Sequence, residues 1–176
     1  MDEDAQVLAL LHTLDRLPGP EHLEFPDGFD YPLAKARAIR LKDRLNRDFG
    51  RSCHLDDQIQ DASYSFMITI PAEASAPGVP VGVRLSNFGS LAVATTPGPD
   101  SHDDLDHAVQ QGALSAADRS RIEAALRDLG YTLVPPRLLH ELYDGVTRLA
   151  DQGSFYLSYG PHRGRATWWT RYFEYL

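Results

Sequence analysis

The segment His102-Asp103-Asp104-Leu105-Asp106-His107 places two imidazoles and three carboxylates within six residues. Such groups can give nitrogen and oxygen ligands to a divalent cation, with His102, Asp104 and His107 as the candidate trio. The spacing matches neither an EF-hand loop nor the His-Glu-x-x-His pattern of zinc enzymes. A solvated acidic loop or helix start is therefore expected, with no metal and no other cofactor. Cys53-His54 pairs a thiol with an imidazole. Adjacent side chains diverge, however, so a base for Cys53 would have to come from elsewhere in the fold. The expected role of Cys53 is that of a small buried hydrophobe. No Gly-x-Gly-x-x-Gly, Walker loop, Gly-x-Ser-x-Gly or Cys-x-x-Cys occurs. A small hydrolase or metal-dependent enzyme using Cys53 or the His102–His107 cluster stands as an alternative, and a non-enzyme is the leading expectation.

Charge narrows the partners. The chain of 176 residues carries a net charge of −8, unevenly spread. Residues 1–32 hold eight acids and one base, and residues 52–134 hold eleven acids and four bases. Between them, residues 33–51 hold seven bases and two acids. An acidic body repels nucleic acid and anionic membrane and attracts a basic partner. The basic helix 33–51 is a candidate phosphate or nucleic-acid contact. Asp43 and Asp48 interrupt it and no aromatic shares its polar face, so a solvated face paired with neighbouring acids is expected instead. The acidic N-terminus is not a secretory signal, no apolar run reaches membrane-spanning length, and the lone cysteine suits a reducing compartment. A cytoplasmic protein without a membrane partner is expected.

The elements that would hold these groups follow from hydrophobic periodicity. Val7, Leu10, Leu11, Leu14 and Leu17 recur at helical spacing, and Pro18-Gly19-Pro20 stops that helix. Ala34, Ala38, Leu41, Leu45 and Phe49 stripe a second helix, which Gly50 ends. The period then falls to two. Tyr64, Phe66, Ile68 and Ile70 alternate with polar residues and Met67. Val81, Val83 and Leu85 follow, then a turn at Ser86-Asn87-Phe88-Gly89 and a returning strand to Thr96. Ser115 to Asp118 resembles a capping box for a helix carrying Ile122, Leu126 and Leu129. Tyr131 to Val134 is a short strand, Pro135-Pro136 opens another helical turn, and Phe155 to Tyr159 is a further strand candidate. These elements predict one α+β domain over residues 1–176, with a helical part at 1–50 and sheet plus helices at 51–176. The expected sheet is antiparallel with about four strands.

The chain ends in Thr167-Trp-Trp-Thr-Arg-Tyr-Phe-Glu-Tyr-Leu176, which holds both tryptophans. On a helix, Trp168, Tyr172 and Tyr175 share one side and Trp169, Phe173 and Leu176 its neighbour. Arg171 and Glu174 then fall on a polar back. A terminal aromatic helix docked on the sheet is expected.

Three stretches carry a likeness to a known group. They are Gln60-Asp61-Ala62-Ser63-Tyr64, then Leu129-Gly-Tyr-Thr-Leu-Val-Pro-Pro136 leading to Tyr143-Asp144-Gly145, and Thr167-Trp168-Trp169 through Arg171-Tyr172-Phe173 to Tyr175-Leu176. Together they resemble small bacterial proteins of the polymorphic or contact-dependent toxin immunity type. The resemblance implies a non-catalytic protein that binds and neutralises a cognate protein toxin, with no active site to carry over. An acidic inhibitor of a basic toxin would gain association rate from steering. Asp56, Asp57, Asp103, Asp104 and Asp106 are the first candidates for partner contact.

Overall fold

The computed structural model describes residues 2–18, 24–57, 66–97, 104–149 and 164–174. The chain opens with α1 (Glu3–Asp15) and α2 (Tyr31–Phe49). Four strands and two helices follow: β1 (His54–Asp56), β2 (Phe66–Ile70), β3 (Val81–Leu85), β4 (Leu91–Thr95), α3 (Leu105–Gln110) and α4 (Ala116–Asp128). The described elements close with β5 (Thr132–Leu133), α5 (Pro136–Leu139) and a π-helical turn at Thr170–Glu174.

Local chemistry accounts for several helix ends. Asp30 caps α2 by accepting the Leu33 N–H at 3.0 Å, and Gly50 ends it in the left-handed conformation at φ +64°. Ser115 caps α4 by accepting the Asp118 N–H at 3.0 Å. Asp118 stands at the capping-box position but turns its buried carboxylate elsewhere. It accepts the Ala76 N–H at 2.8 Å and pairs with Arg121 at 2.8 Å. The Asp118 carboxylate thus ties α4 to the loop between β2 and β3.

The strands lie in the order β1-β2-β3-β4-β5. The first three pairings are antiparallel, with Ile68 opposite Val83 and Val83 opposite Ala94. The α+β class holds. The sheet is mixed rather than wholly antiparallel and has five strands rather than about four. β1 is three residues long, too short to show an alternation. β5 is parallel to β4 because the chain crosses through α3 and α4 before returning. The expected start of β2 at residues 62–65, the strand candidate at 155–159, and Tyr175 and Leu176 lie outside the described residues.

Each face of the sheet carries a core. Phe66, Ile68, Val83, Leu85 and Ala92 pack with Ala38, Leu41 and Leu45 of α2 and Ile122 and Leu126 of α4. On the other face, Leu91, Val93 and Val134 pack with Leu11 and Leu14 of α1, Leu138 and Leu139 of α5, and the terminal aromatics. The tail is thus docked on the sheet. Trp168 stacks on Tyr172 at 5.9 Å between centroids, and Tyr172 donates its hydroxyl to the Leu11 carbonyl.

The polar back expected for the tail is not formed. Arg171 is 0% exposed. Its Nε donates to Asp15 Oδ1 at 2.6 Å, and its guanidinium lies 4.5 Å from the Phe88 ring centre. Winding from Thr170 to Glu174 is π-type, which shifts side chains away from their α-helical directions. No helix among the described residues is long and apolar enough to cross a membrane.

Candidate functional site

A cleft of about 720 Å³ opens where the sheet ends at β5. Four stretches line it: the first turns of α1, more than ninety residues upstream of the rest, the start of α3, one side of α4, and β5 running into α5. Each brings charge. Glu3 and Asp4 come from α1, Asp104 and Asp106 from the start of α3, Arg119, Glu123 and Arg127 from α4, and Arg137 from α5. Among the described residues five carboxylates face three guanidiniums, a net charge of −2.

Most of these groups hold one another. Arg137 grips Asp4 with two parallel bonds of 2.6 and 2.7 Å and reaches Asp104 through Nε at 3.1 Å. Arg119 donates Nε to Glu123 at 2.7 Å and pairs with Asp106. The Asp4 carboxyl is held below its ordinary range by the bond from Arg137. Arg137 is pushed up by its bond to Asp4, and Arg119 by its bond to Glu123. Near neutral pH Arg119 and Arg137 therefore stay protonated and Asp4 stays ionised. Such groups recognise charge and do not shuttle protons. Both oxygens of Asp104 are engaged, since Oδ1 caps α3 through the His107 N–H at 2.8 Å and Oδ2 takes Arg137. No group of three or more His, Cys, Asp or Glu among the described residues is placed to hold a metal ion.

The floor of the cleft is the sheet edge. Thr132 N–H donates to Ser90 O at 2.9 Å and Val134 N–H to Ala92 O at 2.8 Å, both toward β4. Strand residues alternate direction, so the N–H and C=O of Leu133 point away from β4 and into the cleft.

The acids singled out in the sequence do not share one surface. Asp104 and Asp106 line this cleft, while Asp56 and Asp57 lie at β1 on the opposite edge. Four strand spacings separate those edges, about 19 Å. Asp57 pairs with Lys35 at 2.8 Å, and that bond lowers its carboxyl pKa. Asp103 and His102 lie outside the described residues. Cys53 is 5% exposed in the core between α2 and the sheet, and burial pushes its thiol up, away from the thiolate that a nucleophile needs. His54, next to it, is exposed on β1.

Part of the basic helix is engaged within the fold, while Arg40 and Arg47 are exposed. Arg37 lies 4.0 Å from the Tyr131 ring centre and donates Nε to Leu129 O at 2.9 Å. Arg44 holds Asp48 and Asp128, each at 2.7 Å. These bonds fix α2 to the end of α4.

Two groups escaped the sequence reading. The cleft gains Asp4, Arg119, Glu123 and Arg137, of which only Arg119 and Glu123 leave a local trace, at i and i+4. The other is the buried Asp15, which accepts bonds from Arg171, Tyr143, Val146 and Thr147. Its signal is an acid four residues after Leu11 on an apolar stripe.

Comparison with protein-family models, with curated proteins and with solved structures finds no match.

Proposed function

We propose that the protein is a non-catalytic binding protein of the toxin-immunity type, and that its cleft at the β5 edge receives a basic surface of the toxin. The observation that carries this is the cleft itself. It is large and charged, carries an excess of carboxylates, and its groups already hold one another. Such a site presents a fixed charge pattern before the partner arrives. A preorganised pattern costs little ordering on binding and favours specificity and fast association. The resemblance of the tail and of the β5 region to immunity proteins supplies the class of partner.

The test co-expresses the full chain with the product of the adjacent reading frame and scores growth. Hydrogen exchange of the purified complex then maps the contact. The expected result is rescued growth with slowed exchange over residues 3–10, 104–106 and 119–137. Association should slow steeply as salt rises. Absence of rescue, or a complex in which those segments exchange unchanged, refutes the proposal.

A further inference from the structure

We infer that the cleft takes one extended, basic segment of a protein partner as an added strand beside β5. This rests on the function proposed above and specifies how the partner is held. The sheet stops at β5, while α1 on one face and α4 on the other both contribute to the cleft beyond it. The space between two helical layers at a sheet edge suits one more strand. Thr132 and Val134 direct their N–H groups to β4, so the N–H and C=O of Leu133 face the other way, toward the cleft that Leu133 lines. A peptide binding to such an edge gains main-chain hydrogen bonds for affinity and side-chain contacts for specificity.

Geometry limits the pairing. The Tyr131 N–H is already bonded to Leu126 O at 2.9 Å, and Pro135 has no N–H. Only Leu133 can exchange both bonds with a residue opposite, which is the hydrogen-bonded pair of an antiparallel ladder. Leu133 packs toward the α2 and α4 core. The partner residue opposite it would face the same way, and the residues on either side would point to the α1 wall. Glu3 stands there beside Asp4, whose oxygens Arg137 holds, and the charges lining the cleft sum to −2, so Lys or Arg is favoured at those two positions.

The probe is the peptide acetyl-Thr-Lys-Val-Lys-Thr-amide, titrated into the isotope-labelled full chain and followed by amide NMR. Two controls accompany it, one with Glu for both Lys and one N-methylated at Val. The lysine peptide should shift the Leu133 amide and slow its exchange. Methylation removes one main-chain donor, and affinity should fall about tenfold. The glutamate peptide should bind at least as weakly. Equal binding of the methylated peptide, or no change at Leu133 up to millimolar peptide, overturns strand addition. Shifts in the cleft that spare Leu133 overturn it too, yet leave the cleft as the contact. Equal binding of the glutamate peptide overturns the choice of a basic occupant.

Discussion

Asp15 and Arg171 are 156 residues apart and form a buried ion pair with side chains 1% and 0% exposed. Replacing one partner should cost far more than replacing the other. Asp15 accepts from Arg171 at 2.6 Å, Tyr143 OH at 2.7 Å, Val146 N–H at 2.6 Å and Thr147 N–H at 3.2 Å. Among the described residues the Arg171 side chain has Asp15 alone as hydrogen-bond partner, since its Nη1 and Nη2 have none there. Asp15→Ala therefore strands a buried cation and should cost about 3–5 kcal/mol. Arg171→Met keeps an apolar stem against Phe88 and leaves the carboxylate three donors. Its cost should be about 1–3 kcal/mol, the loss of one charged hydrogen bond. Against a total of about 5–15 kcal/mol both are measurable. Urea unfolding followed by tryptophan emission reads them directly, since Trp168 lies in the same core as Tyr172. The double variant should be less damaged than the sum of the two. An Arg171→Met cost equal to or above that of Asp15→Ala, or two costs below about 1 kcal/mol, would refute the asymmetry. Acid offers a second view. Burial works to raise the Asp15 carboxyl, but bonds from Arg171, Tyr143, Thr147 and Val146 outweigh it and hold the group below its ordinary 3.8. A folded value below the unfolded one gives stability that is complete above about pH 3.8. That stability is lost as pH falls through the folded value, and Asp15→Ala should lack this part of the acid slope.

A Cβ at Gly145 would meet Asp15 Oδ2 and the Tyr143 ring and hydroxyl. Gly145→Ala should break the Tyr143–Asp15 bond and lower stability by about 1–3 kcal/mol, and unchanged urea unfolding would contradict it. A chain ending at Arg165 loses Trp168, Trp169, Tyr172 and Phe173 from the second core. It should lose its cooperative thermal transition by circular dichroism, and a folded truncation would show that α1 and α5 close that core without the tail. Cys53, with its thiol pushed above the ordinary 9.0 by burial, should react with a disulfide reagent at pH 8 far more slowly in the native chain than in urea. Equal rates would mean that the thiol is accessible.

Local sequence carried the helices and the central strands. Leu41, Leu45 and Phe49 define a buried stripe by spacing alone, and Asp30, Ser115 and Gly50 mark helix ends through bonds or backbone angles within a few residues. The alternation from Phe66 to Ile70 and from Val81 to Leu85 likewise needs only nearest neighbours. Of the candidate contacts, Asp104 and Asp106 were legible as acids. That they share a cleft with Asp4 and Arg137, while Asp56 lies across the sheet, depends on strand order.

The sequence by itself determined which stretches wind or extend, and that aromatic side chains near the C-terminus would be buried. Periodicity is a property of residues three or four apart and needs no knowledge of the fold. Tertiary structure decided where charge goes. Arg171 reads as solvent-facing by helical spacing and is instead enclosed, because Asp15 waits for it at the other end of the chain. A charge can be buried only opposite a partner, and the partner's distance in sequence leaves no local mark. The parallel entry of β5 has the same origin, and with it the edge that Leu133 opens to the cleft. It is set by a crossover through α3 and α4, where a two-residue strand has too few side chains to declare its direction.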